Sequence, residues 1–386
     1  MKNEDKYVYG IDALRFLCAL LVAIFHLTWT RVDETRAIPF GWIGVQIFFV
    51  ISGVVIANSA SFSSPRDFLV GRFLRLYPAA WLAALISFSI FMLLPWSAFK
   101  ENGVNIVPQL GALARSLTLV GDYFLTSSYW TLPVELAFYL VVYLSMLTGG
   151  RVNLLWIARL LVMVSAPYLI FAFIHRLGLI DAPWLEFGNG LANALLVRHG
   201  PYFAIGIYIW MKIERRPLAR SDNAVFILAL SLSAIEIAIK SLILVTQNPV
   251  TAADPRNAFY MITFSLVTFS LFLYGIYFSM RYRETIQLST QSKRILRTAG
   301  LMTYPFYLLH ESVGGATLHM MGAKAPAVST VLAAIVVSGA VAYLVCALGE
   351  PWLRKWLRSA LSILRKKEIP DEIALANQKL RDPFGG

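Results

Sequence analysis

The chain has 386 residues, 58% hydrophobic and only 15% charged, where soluble domains average about a quarter charged. Apolar runs recur from the first twenty residues to the last forty, which excludes an ordinary aqueous globule and predicts one all-α, polytopic membrane unit. The formal charge of +12 would suggest nucleic acid in a soluble protein. Cys18 and Cys346 both lie in apolar runs and cannot build a disulfide framework.

About 20 mainly apolar residues are needed to cross the hydrocarbon core as a helix. Ten segments qualify, at 11–30, 41–60, 78–95, 130–148, 154–174, 196–212, 223–246, 258–280, 299–319 and 327–348. The first holds Asp12 and Arg15 and lacks a small-residue cleavage site, so it reads as a span, not a signal peptide. The stretch 104–125 carries Pro108 and Arg115 and reads as re-entrant or interfacial. With that parity, 21 Lys and Arg residues flank one side and 7 the other. The positive-inside rule then puts both termini in the cytoplasm, in a cytoplasmic (inner) membrane, and removes nucleic acid as a partner. Residues 1–358 form the membrane domain and 359–386 a polar tail, with no appended extracellular domain.

Ionisable groups within the bilayer are costly and mark interior-facing, functional positions. In the first span Arg15 and His26 are 11 residues apart, close to three whole turns, so both project from one face about 16 Å apart along the axis. Asp12 is placed to orient the Arg15 guanidinium. Snorkelling of each side chain to its nearer interface is the competing reading. In the second span Gly41, Gly44, Ser52 and Gly53 permit close helix contact. Next comes GRFLRLYP, with Arg72 and Arg75 one turn apart and Pro78 opening the third span. Two guanidiniums on one face suit a phosphate, although ordinary positive-inside flanking is by itself the favoured explanation.

Glu135, in YWTLPVE at the start of the fourth span, has no cation within four residues and must be protonated or paired across helices. Trp130 beside it could be an interfacial anchor. In the seventh span Glu236 and Lys240 are spaced to neutralise each other. Arg159, Arg198, His199 and His319 have no evident partner. The ninth span, LMTYPFYLLHESV, gathers Tyr304, Tyr307, His310 and Glu311 in a helix broken at Pro305. No phosphate-binding glycine loop, paired-cysteine spacing or HExxH helix is visible, so no metal is expected.

Together these motifs resemble the acyltransferase 3 family of integral membrane acyltransferases, many of which acetylate cell-surface polysaccharides. The resemblance runs over about residues 8 to 355. It rests on Asp12, Arg15 and His26, on GWIGVQIFFVISGVVI, on RFLRLYP, on WTLPVE, on TYPFYLLH ending in His310, and on Glu350-Pro351. It implies about ten membrane helices around a polar cavity, and transfer of an acyl group, usually acetyl, from cytoplasmic acyl-CoA to a glycan hydroxyl outside. Activity is then expected at Arg15, His26, Arg72, Arg75 and Glu135. Acyl-CoA would dock at Arg72, Arg75 and Arg15, with His26 as general base and Glu135 orienting its imidazole. Trp130, Tyr304, Tyr307 and His310 are candidate substrate contacts. Expected partners are membrane lipid, acyl-CoA and a free or lipid-linked glycan, with a homo-oligomer left open. A secondary transporter or flippase also suits ten spans with buried charge, but the two halves show no repeated hydropathy.

Overall fold

The computed structural model describes residues 7–29, 39–94, 106–149, 152–182, 196–247, 252, 254, 256–322 and 327–367. Among these residues every regular element is helical, and eight helices are long and apolar enough to cross a bilayer. The chain is an all-α polytopic membrane protein. Lys2, Lys6, Arg31, Arg36, Lys100, Arg151 and Lys324, used in the charge count, lie outside the described residues, as does 368–386 of the expected tail.

In chain order the elements are α1 Tyr9–Trp29, α2 Ile43–Ser61, α3 Pro65–Leu93, α4 Ile106–Thr118, a 3-10 turn Ser127–Trp130, α5 Thr131–Gly149, α6 Leu154–Arg176 and α7 Gly200–Ile213. There follow α8 Arg220–Gln247, α9 Arg256–Arg281, α10 Thr290–Leu309, a π turn His310–Gly314 and α11 Gly315–Met321. The last are α12 Ala327–Leu344, a second π turn Val345–Gly349 and α13 Glu350–Lys367. The sixth and ninth expected spans are not long continuous helices. The sixth is α7, 14 residues long with nearly every side chain buried, and the ninth is divided at the π turn between α10 and α11.

Two boundaries differ from the sequence expectation for identifiable reasons. Ser64 caps α3, its hydroxyl accepting from the Asp67 amide at 3.1 Å, and Pro65 occupies the first turn. Pro65 therefore does what was expected of Pro78, which lies inside α3, so Arg72 and Arg75 belong to the helix proper. Pro305 likewise sits within α10, and the helix departs from α geometry five residues later, at His310. Residues 359–367, assigned to the tail, continue α13.

The 104–125 stretch contains α4, about 20 Å long and too short to span. Its end meets the middle of α3, where Trp81 Nε1 donates to the Leu117 carbonyl at 2.8 Å. Nearby, Tyr129 Oη donates to the Ala80 carbonyl at 2.7 Å. The segment thus packs beside the middle of α3 before α5 begins.

Small residues set the central crossings, as lipid supplies no hydrophobic drive between helices. A Cβ on Gly206 would meet the Val50 carbonyl, with Val54 N at 2.8 Å and Gly53 Cα at 2.9 Å. A Cβ on Gly53 would meet the Phe203 carbonyl oxygen and carbon, the carbon at 3.0 Å. At Gly44 it would lie 2.6 Å from the Cys18 carbonyl oxygen of α1. Backbones are therefore in contact at the α1–α2 and α2–α7 crossings, and α2 is the axis of the bundle. We expect Gly206→Val to lower the melting temperature of detergent-purified protein by several degrees, as overpacking costs roughly 1–3 kcal/mol. Gly71→Ala, at an interior position of α3 with nothing within 4 Å, should hold or slightly raise it, since Ala is the better helix former.

Candidate active site

The first helix turns both of its candidate residues into the bundle. Arg15 lines a cavity of about 220 Å³ shared with Ser52, Arg72, Arg75, Glu135, Tyr139, Tyr304 and Tyr307. Towards the other end of α1, His26 meets α10 and its π turn: its Nδ1 lies 2.8 Å from His310 Nε2, with the rings nearly parallel at 9°. Glu311 Oε1 is 3.3 Å from the same His26 nitrogen. In an ideal α-helix consecutive residues point about 100° apart. The π turn brings His310 and Glu311 to one partner.

The protonation pattern follows from the acceptors. His310 is fully buried and its Nδ1 is 2.7 Å from the Tyr307 carbonyl, which can only accept. In the neutral ring Nδ1 therefore carries the proton and Nε2 accepts. His26 must then donate from Nδ1, which leaves its Nε2 with a free lone pair. That is the tautomer a general base needs.

Glu311 has a built cradle. Its carboxylate accepts from the backbone N–H of Ser127 at 2.9 Å and of Ser128 at 2.8 Å, from Ser127 Oγ at 2.8 Å and from Ser128 Oγ. The donors open the 3-10 turn that runs into α5, so an anion sits at a helix N-terminus where unpaired amides favour it. A carboxylate this well hydrogen-bonded can face an imidazolium as His26 takes up a proton.

Glu135, expected at His26, has other partners. It accepts from Ser52 Oγ at 2.9 Å and from Tyr139 Oη. The carboxylate beside the imidazole is Glu311 instead. Sequence reasoning named Glu311 without giving it a role. The signal was there, since an acidic residue adjoining a buried His in an apolar helix needs donors, and Ser127-Ser128 could supply them.

Arg15, Arg72 and Arg75 converge on the cavity, whose lining includes Tyr307 but not His26, His310 or Glu311. Arg72 Nη2 donates to Ser59 Oγ at 3.4 Å, and its guanidinium lies over the rings of Phe68 at 5.8 Å and Tyr139 at 6.0 Å. Among the described residues the buried Arg72 Nε and Tyr304 Oη have no hydrogen-bond partner in the protein. Asp12 is 4.0 Å from Arg15 and accepts from Tyr7 Oη at 2.6 Å. Asp12 thus packs outside the cavity lining, with a positioning contact to Arg15. Trp130, expected to meet substrate, packs on Phe49 and His199, 5.2 Å from the imidazole centroid, and does not line the cavity.

His26, His310 and Glu311 also have donor atoms within 4.8 Å of one another, a metal-like composition. The 2.8 Å nitrogen separation is a hydrogen-bond distance, shorter than the roughly 3.3 Å that two nitrogens keep on one tetrahedral zinc.

Residues 8–350 match the family of acyltransferase domains known as acyltransferase 3. The chain belongs to this family. The peptidoglycan O-acetyltransferase OatA of Listeria monocytogenes is 28% identical over 204 residues, 48% of this chain and 29% of that protein. YrhL of Bacillus subtilis, provisionally named for the same activity, is 26% identical over 192 residues, 42% of this chain and 28% of that protein. The chain thus covers under a third of the length of these relatives. No solved structure matches it significantly.

The other buried charges are outside the site. Glu236 pairs with Arg198 at 2.8 Å and accepts from Tyr202 Oη at 2.7 Å, so its partner is not Lys240 on its own helix as the spacing suggested. Arg159, which offered no evident partner, pairs with Asp222 at 2.6 Å. Removing one member of a buried pair strands the other, at about 3–5 kcal/mol. Glu236→Gln is therefore expected to reduce the yield and melting temperature of the purified protein sharply. A variant melting within a degree of wild type would show that Arg198 does not depend on Glu236.

Proposed function

We propose that this protein is a membrane O-acyltransferase that moves an acyl group, acetyl by preference, from acyl-CoA to a hydroxyl of a cell-surface or lipid-linked glycan. The observation that carries this reading is the hydrogen-bond order Tyr307 carbonyl, His310, His26, which leaves His26 Nε2 as a base with Glu311 behind it. Family membership supports the reaction class, and the names of the two relatives support a glycan acceptor and acetyl as the acyl group.

In this reading the phosphates of acyl-CoA meet Arg72 and Arg75, where bidentate guanidinium pairing suits them. The pantetheine arm enters the cavity past Arg15 and brings the thioester towards His26. The acceptor hydroxyl gives its proton to His26 Nε2 as its oxygen attacks the thioester carbonyl. The carbon–sulfur bond then breaks, and the proton passes from His26 to the departing thiolate, giving free CoA and the ester. Glu311 stabilises the transient imidazolium, and Glu135 with Tyr139 and Ser52 shapes the cavity wall. The charge asymmetry of the loops supports a cytoplasmic donor side and cytoplasmic termini, hence a glycan acceptor on the opposite face of the cytoplasmic membrane.

The test is acyl transfer from radiolabelled acetyl-CoA to glycan by purified protein in proteoliposomes. His26→Ala should lower the rate at least 10³-fold, within the range attributed to general-base catalysis, while the protein elutes as a folded species. His310→Ala should also be severely impaired, since the tautomer is no longer enforced. Near-native transfer by His26→Ala would overturn the mechanism. Glycan flux without thioester consumption would overturn the reaction class. Arg75→Ala is expected to raise the KM for acetyl-CoA at least tenfold with a smaller change in kcat, as loss of a charge-assisted pair to phosphate is worth roughly 1.5–3 kcal/mol.

A further inference from the structure

A second cavity, of about 300 Å³, lies between the ends of α7 and α9 and is lined by Lys212, Arg215, Arg281, Arg283, Glu284 and Tyr277, with Ile213 and Met280. It opens on the membrane face that carries Arg72. Trp210, two residues before Lys212, donates to Asn58 Oδ1 at 3.3 Å, and Arg72 donates to the adjoining Ser59. Lys and Arg scattered around helix ends are the ordinary mark of one membrane face. Here four of them converge on a single concavity.

Their partners leave an excess of positive charge. Arg283 is held by Glu214 at 2.7 Å and lies 3.8 Å from Glu284. Lys212 donates to Asn223 Oδ1 at 3.0 Å and lies over the Phe226 ring, contacts that leave its charge uncompensated. Among the described residues neither Arg215 nor Arg281 forms an ion pair, and Arg281 rests on the Tyr282 ring.

The backbone gives an independent sign. The Arg215 amide bonds to the Lys212 carbonyl at 3.3 Å and the Arg216 amide to the Met211 carbonyl at 2.9 Å, the two bonds of a Schellman cap. Arg215 occupies the left-handed position of that cap, at φ 51°, where glycine is the comfortable residue. An arginine stands where the turn would be better served without a side chain, and that side chain lines the cavity. Strain of this kind clusters at ligand sites.

The rim identifies the ligand's second half. Phe264, Val267, Leu271, Tyr274, Tyr277 and Phe278 are exposed along α9 and lead down to the basic cavity. This stripe is apolar enough for acyl chains, and a free anion has no use for it. We propose that the cavity binds the phosphate of an anionic phospholipid, with its acyl chains lying along this stripe of α9. The site is separate from the acyl-transfer cavity and does not rest on the proposed reaction.

Full-length protein in mild detergent would be titrated with dioctanoyl phosphatidylglycerol, dioctanoyl phosphatidylcholine and inorganic phosphate, reading thermal shift and lipid retention by native mass spectrometry. Phosphatidylglycerol is expected to raise the melting temperature and phosphatidylcholine to have little effect. In Arg215→Gly/Arg281→Gln the affinity for phosphatidylglycerol should fall on the order of tenfold or more. Arg215→Gly alone should melt at or above wild type without lipid, since it relieves the cap, and the double variant should keep the wild-type melting temperature without lipid, so the loss of binding cannot be put down to misfolding. Undiminished binding by the double variant, or no preference over phosphatidylcholine, would overturn the proposal. Full competition by millimolar inorganic phosphate would also overturn it, by making the site one for free anions.

Discussion

A carboxylate inside an apolar bundle must be met by donors, and the arrangement around Glu311 follows from that requirement. Without Ser127 and Ser128 the charge would have little besides His26 to face, at a desolvation cost of several kcal/mol. With them it accepts two amides and two hydroxyls from one turn. That turn is the start of α5, so holding Glu311 also fixes α5 against the π turn and sets the depth from which Glu135, one turn into α5, enters the cavity. The short α4 has a matching part. It returns the chain beside the middle of α3, where Tyr129 is tied to the Ala80 carbonyl, and so delivers the two serines at the level of His26.

The two ends of α1 are thereby given different electrostatic character. Arg15 joins Arg72 and Arg75 around a cavity whose wall combines apolar side chains such as Val45, Phe48 and Val55 with hydroxyls and the single carboxylate of Glu135. His26 meets a neutral imidazole and one cradled carboxylate. A phosphate-bearing donor fits the first environment, and chemistry that moves a proton fits the second. The helix between them holds the spacing constant, because α1 packs along α10 and its close crossing with α2 leaves no slack at Gly44.

Much of this was readable in the residues. The 11-residue interval between Arg15 and His26 fixed a common face, and the apolar run around them left that face no aqueous alternative. The pairing of Arg72 with Arg75 and the isolation of Glu135 were equally plain. What the sequence could not show was which buried charges meet, because lipid-embedded pairs form across helices far apart in the chain. Glu236 illustrates the limit: a cation four residues away looked sufficient, yet Arg198, in the turn before α7, takes it. Helix length carried the same ambiguity. Hydropathy located α7 correctly but cannot tell a 14-residue buried helix from a full span, since both are uniformly apolar.

Proline is the residue usually held responsible when a membrane helix loses regularity, yet Pro305 leaves α10 intact and the deviation comes at His310. A π turn is in effect one residue too many in the winding. Read that way, the surplus residue resets the register of everything after it, and Glu311 reaches the same imidazole that His310 meets. Trimming that stretch by one residue would restore smooth winding and rotate α11 against α10.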